Sequence, residues 1–204
     1  HFLCLLINIT NMEQKGMNTN MDNFETAGNG NSKKQKVFKE IVSWSLCLLG
    51  AFIIALLLTK YVIVNAYVPT GSMENTIMPG DRIIASRIHY YFSEPKRGDI
   101  VVFRYPDNEE VLYVKRIIGL PNETVEIKDG NVYINGKLLE EPYIKEKAYG
   151  DFGPYEVPEG CYFMLGDNRN GSTDSRRWTN KYVKKEKILG KALFKYFPGF
   201  KILW

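Results

Sequence analysis

The chain has 204 residues, of which 45% are hydrophobic and 13% aromatic, so it can build a packed core and is too apolar for global disorder. Its net charge is only +4, with lysine and glutamate interleaved, which excludes a basic stripe of the kind that binds nucleic acid. Of three cysteines, Cys4, Cys47 and Cys161, only the last lies beyond the apolar segment, so the domain that follows cannot hold an internal disulfide.

The chain begins with His1 rather than methionine, and His1 to Thr10 is an apolar run too short to span a bilayer. Residues 1–11 are therefore expected to be a non-native start, with Met12, Met17 or Met21 as initiator. Asn11 to Ser32 is rich in Asn, Gly and Met without periodicity and reads as disordered, which makes 1–36 an N-terminal cytoplasmic tail. Ile41 to Leu58 is eighteen residues without a charge, extended by Val37 and Phe38 on one side and by Tyr61 to Val64 beyond Lys60. That length predicts a transmembrane helix over 37–60. A cleaved signal peptide shares the layout, but it has a shorter apolar core and a small-x-small site, which does not follow cleanly here. Lys33, Lys34, Lys36 and Lys39 precede the span and only Lys60 follows closely. The positive-inside rule then predicts a single-pass protein of the cell membrane, N-terminus in the cytoplasm.

After the span the helical period disappears. Arg82 to Ser86, Asp99 to Tyr105 and Val111 to Ile118 are β-branched and aromatic runs of strand length. Thr124 to Lys128 and Asn131 to Ile134 flank Asp129-Gly130, a strong hairpin signal, and Asn135-Gly136 turns the chain into Lys137 to Leu139. Tyr162 to Leu165 and Ile188 to Phe197 add two strands, while Pro142 to Gly160, rich in Pro, Gly and charge, reads as a surface excursion. The fold class is mainly β, an antiparallel, barrel-like domain over 61–204 preceded by one transmembrane helix.

Chemistry concentrates at Pro69-Thr70-Gly71-Ser72-Met73, just past the span. A serine after a glycine turn can present both its hydroxyl and its amide to a carbonyl, although ordinary surface turns share the sequence. Its hydroxyl needs a base. The outer domain has one histidine, His89, flanked by aromatics that suit a packing or surface role. No His/Cys/Asp/Glu cluster has metal-ligand spacing, and Cys161 as a nucleophile would lack a histidine partner. Lysine remains. In Val111 to Ile118, Lys115 shares a strand face with Val111, Tyr113 and Ile117, and Arg116 shares the other with Leu112, Val114 and Ile118. Burial would lower the Lys115 pKa towards a neutral base, whereas Arg116 cannot deprotonate and needs a carboxylate. A lysine that snorkels to the sheet edge satisfies the same strand, and on the strand alone both readings stand.

Several motifs occur in order: Ser72-Met73 after a span, Gly80-Asp-Arg82, Arg97-Gly-Asp-Ile-Val-Val-Phe103, Lys115-Arg-Ile-Ile-Gly-Leu-Pro121 and Gly166-Asp-Asn-Arg169 with Ser172, Asp174 and Arg176. The chain resembles bacterial type I signal peptidases of the short, Gram-positive-like form, from the span to Phe197. The resemblance implies Ser72 as nucleophile and Lys115 as general base, with the Ser72 amide and Thr70 hydroxyl as oxyanion hole. It further implies Ser172 orienting the lysine amine, Met73 in support, and ion pairs Asp167–Arg116 and Asp174–Arg176 as scaffold. No cofactor or metal is implied. The implied partners are secretory preproteins, cleaved after a small-x-small site, and membrane lipid, with no nucleic acid. Asn75 and Asn122 stand where the family usually has proline and glycine. A non-catalytic, anchored β-domain binding protein and a soluble Ser-Lys self-cleaving regulator are the rival readings; the first needs neither Ser72 nor a buried Lys115, and the second has no use for a span.

Overall fold

A computed structural model describes residues 29–203. The expected initiator methionines and most of the tail lie outside the described residues. Two compact units divide at Gly50/Ala51, within helix α1 (Asn29–Tyr61). Asn29 to Ser32, which the sequence assigns to the disordered tail, are helical here, because the helix begins before its apolar stretch does. Gln35–Tyr61 is 27 residues with none of its apolar stretch buried. At about 1.5 Å per residue it is roughly 40 Å long, enough to cross a bilayer.

The helix does not run on to Val64. It ends at Tyr61, and β1 (Ile63–Tyr67) begins at once, pairing antiparallel with β2 (Arg82–Ser86) from Ile63–Ser86 to Tyr67–Arg82. The β-branched residues Val62 to Val64 fit a strand as well as an apolar helix, and the partner strand decides. Between these strands lies one 3-10 turn, Gly71–Met73. A short helix α2 (His89–Phe92) follows β2, and then come β3 (Ile100–Tyr105) and β4 (Asn108–Gly119). β5 (Thr124–Lys128), β6 (Asn131–Ile134), β7 (Lys137–Leu138) and β8 (Phe152–Glu156) form a four-stranded sheet in the order β7-β6-β5-β8. β9 (Cys161–Leu165), β10 (Tyr182–Lys184), β11 (Ile188–Phe197) and β12 (Lys201–Ile202) complete an eight-stranded sheet ordered β1-β2-β11-β3-β4-β9-β10, with β12 on β11. All strand pairings are antiparallel.

The strand period sorts side chains between clusters. On β3, Ile100 and Val102 enter one core with Ile83 and Ala85, while Val101 and Phe103 enter another with Ile117, Met164 and Trp178. On β9, Phe163 and Leu165 face a third core with Ile118, Val125 and Ile127, which joins the second sheet to the first. Each such fully buried aliphatic or aromatic side chain contributes about 1.5–3 kcal/mol of transfer free energy.

Pro142 to Gly160 is more than a surface excursion. It contains β8, which pairs with β5, and it buries Ala148 and Val157 in the third core. β8 tolerates Pro154 because it is an edge strand, where a missing N–H leaves no ladder bond unmade.

Candidate active site

Ser72, 6% exposed, sits in the 3-10 turn and Lys115, 3% exposed, on β4. The two come from residues 43 apart in sequence, and Lys115 Nζ donates to Ser72 Oγ at 2.5 Å. Burial lowers the lysine pKa from 10.5 to about 8, and the carboxylates of Asp174 and Asp167 offset part of that depression. The apolar surround includes the Tyr113 ring, whose centroid lies 5.3 Å from the amine. With its pKa at about 8 the amine is mostly protonated at pH 7 and sheds its proton just above that, within bonding distance of a buried hydroxyl.

Arg116, one residue on and across the sheet, meets a different environment. Its Nε and Nη2 donate to Asp167 at 2.9 and 2.6 Å, its Nη1 donates to the Gly98 carbonyl at 2.8 Å, and its guanidinium lies 3.9 Å from the Tyr143 ring centroid. The Thr76 hydroxyl also donates to Asp167, at 2.5 Å. Asp174 accepts Nε and Nη2 of Arg176, both at 2.8 Å, and the Gly166 amide at 3.1 Å. Arg169, fully buried, makes a two-pronged bond to Glu141 at 2.7 Å on each prong.

The loop 166–176 closes against the serine turn. The Asn168 amide donates to the Ser72 carbonyl at 3.1 Å and its side chain to the Gly71 carbonyl at 3.0 Å. Gly166 permits this approach, because a Cβ there would collide with the Ser72 carbonyl and the Ser172 hydroxyl. Ser172 lies in this contact, 1% exposed, but its hydroxyl has no hydrogen-bond partner among the described residues. The amine that the family resemblance assigns to it bonds Ser72 instead. Met73 is wholly buried in the first core and anchors the turn. Thr70, in extended backbone just before the turn, is exposed and makes no side-chain bond across it. His89 packs edge-on against Tyr90 in α2, with ring centroids 5.1 Å apart. No cluster of three metal-ligating side chains occurs among the described residues.

Ser72 and Lys115 open onto a groove of about 340 Å³ bordered by Tyr67 to Thr70 on one side and by Val111 to Val114 on the other. Volume alone does not select it, since a hollow of about 490 Å³ beside Arg87, Tyr90 and Leu189 is larger. The contact between Lys115 Nζ and Ser72 Oγ does. β4 pairs with β9 only from Arg116 onward, so Val111 to Lys115 present a strand edge to the groove.

Sequence reasoning missed Thr76, Glu141 and Tyr143 as parts of this network, and gave Arg169 a place in a motif but no partner. Glu141 stands in a Glu-Glu-Pro run that reads as solvated; only its partner Arg169, 28 residues away, makes it internal.

Comparison with known proteins matches residues 41–197 to the family described as signal peptidase, peptidase S26. A probable signal peptidase I-2 of Synechocystis is 42% identical over 153 residues, covering 72% of this chain and 69% of the relative. Signal peptidase I of Bacillus licheniformis is 40% identical over 177 residues, covering 82% and 92%. Signal peptidase I T of Bacillus subtilis is 37% identical over 182 residues, covering 83% and 93%.

Proposed function

The chain belongs to the signal peptidase family, peptidase S26, and from that premise we propose that Ser72 and Lys115 are the nucleophile and general base with which it cleaves signal peptides from preproteins. The observation that carries this reading is the 2.5 Å contact between Lys115 Nζ and Ser72 Oγ in a site dry enough to hold the lysine pKa at about 8.

Ser72 Oγ attacks the scissile carbonyl as its proton passes to Lys115 Nζ. The resulting ammonium protonates the departing amine, the C–N bond breaks, and the signal peptide remains as an ester on Ser72. Neutral Lys115 then takes a proton from water, the hydroxide attacks the ester, and the proton returns to Ser72 Oγ. The Ser72 amide and the Thr70 hydroxyl, which borders the same groove, would donate to the oxyanion that forms in each step. An extended segment laid along Val111 to Lys115 would find unpaired backbone groups, a mode in which small side chains at alternate positions fit a shallow groove. This supports cleavage after a small-x-small sequence. Lys36 and Lys39 before the span, against Lys60 after it, support a cytoplasmic N-terminus and a catalytic domain outside the cell membrane. External protease should then digest residues 61–204 in intact protoplasts, and survival of that domain would reverse the orientation.

The activity test uses the full chain in detergent with a preprotein substrate. Ser72→Ala and Lys115→Arg should each lose at least about 10⁴-fold in kcat, since guanidinium stays charged. Thr70→Val should lose about 10²–10³-fold with KM nearly unchanged. For the wild type, protonation of Lys115 removes the base, so kcat/KM should fall about tenfold per pH unit below pH 8. Substantial turnover by Lys115→Arg would end the dyad reading.

A further inference from the structure

The Asp167 carboxylate is where three separate parts of the site meet. It belongs to the loop that closes on the serine turn, and it accepts two bonds from Arg116, the residue next to Lys115 on β4. Its third donor comes from the serine turn itself: the Thr76 hydroxyl, four residues after Ser72, at 2.5 Å. Thr76 is bound to that turn through its own backbone, because its amide donates to the Met73 carbonyl at 3.0 Å. Arg116 Nη2 lies 3.5 Å from the same hydroxyl, so the threonine bridges both members of the ion pair. Asn168 also ties the turn to this loop through the Ser72 and Gly71 carbonyls, but the Thr76 bond alone reaches the Asp167–Arg116 pair. Asp167 is fully buried, where a charge-assisted bond is strong.

We propose that Thr76 is a positioning residue, whose hydroxyl pins the turn carrying Ser72 to the Asp167–Arg116 pair and so sets the distance between Ser72 Oγ and Lys115 Nζ. The inference rests on the reading of Ser72 and Lys115 as nucleophile and base. Loss of the pin leaves the turn held by Asn168 but no longer tied to the pair beside Lys115, and displacements of about 1 Å in a reacting pair cost on the order of 10²-fold.

The same bond has an electrostatic consequence. The groups facing Lys115 are the Asp167 and Asp174 carboxylates, the Ser72 hydroxyl and the Tyr113 ring. Those facing Asp167 are Arg116, Arg169 and Thr76, with Tyr143 stacked on Arg116. Asp167 raises the Lys115 pKa, and a hydroxyl donated to that carboxylate damps its field. Removing the hydroxyl therefore favours the ammonium.

The test compares Thr76→Val and Thr76→Ser in the full-length enzyme, with rates normalised to the folded fraction from thermal unfolding. Thr76→Val should lower kcat by about 10–100-fold, leave KM within about twofold, and move the acid limb of kcat/KM to higher pH. Thr76→Ser should recover most of kcat and the original limb. Thr76→Ala serves if valine prevents folding, with the same expectations. A Thr76→Val enzyme with wild-type kcat and limb overturns the proposal, as does a loss of activity that only tracks the folded fraction with the limb unmoved. Lys115→Met run beside them separates the two readings. If it retains turnover the dyad fails and this inference with it; if it is dead while Thr76→Val is wild type, only the role of Thr76 fails.

Discussion

On β4 two adjacent cations are carried into the interior and end in opposite states. On the Arg116 face each guanidinium nitrogen has an acceptor: Asp167 takes two bonds, Gly98 a third, and the Tyr143 ring covers the plane. On the Lys115 face the amine meets an uncharged hydroxyl and an aromatic ring, and the carboxylates of Asp174 and Asp167 act on it only through space. A buried charge with a bonded counterion remains a charge, and one without it is driven towards neutrality. The first face thus supplies rigidity, and the second a buried amine whose pKa lies at about 8.

The largest effect that would break this contrast is on stability. Arg116→Leu strands the Asp167 carboxylate with only Thr76 as a side-chain donor, and breaking such a buried pair costs about 3–5 kcal/mol. Lys115→Met should do the opposite. The lysine pKa is about 8 in the folded chain against about 10.5 unfolded, so the unfolded state binds the extra proton between those values and stability rises with pH across that window. Below pH 8 the buried ammonium costs up to about 3 kcal/mol, which methionine removes. At pH 7 Lys115→Met should therefore unfold at a higher temperature than wild type, with the gain fading as pH approaches 10.5. Equal destabilisation by both substitutions would mean that Lys115 is held as an ion like its neighbour.

How far the chain could be read in advance follows from how local each feature is. Asp129-Gly130 and Asn135-Gly136 marked their hairpins because both central residues must take positive φ, and they do, at 50° and 73° and at 52° and 76°. Ser72, Lys115 and the 166–176 loop were legible through ordered motifs, and Arg116 through the requirement that a guanidinium find a carboxylate. Thr76 and Glu141 were not, because their partners lie 91 and 28 residues away and nothing in their neighbours distinguishes them from solvated polar residues. β8 was hidden by Gly153 and Pro154, which are strand breakers except at an edge, and β1 by apolar residues that continue the helix equally well. The bond expected from Ser172 fails for a related reason. The motif puts a serine at this point of the loop, but packing sets its hydroxyl against Gly166, where it has no partner among the described residues.

The smallest effect concerns Asn75, where the family usually carries proline. Its φ is 85°, in the left-handed region, whereas a proline ring holds φ near −65°. The backbone after the serine turn therefore follows a course here that proline cannot take. Its side chain uses that course to donate to the Tyr143 carbonyl at 3.0 Å, tying the turn to the segment beside Arg116. Two contributions can be separated by substitution. Asn75→Gly keeps the backbone accessible and loses only the side-chain bond, which at an exposed site is worth about 0.5–1.5 kcal/mol. Asn75→Ala loses the same bond and adds about 1–2 kcal/mol of left-handed strain from its Cβ. Asn75→Asp keeps the shape but presents an acceptor to a carbonyl, so it should be no better than glycine. Thermal unfolding of the four chains should rank wild type above Gly and Asp, and both above Ala. If Ala matches Gly, residue 75 does not hold positive φ in solution, and the turn after Ser72 has the same course that a proline would impose.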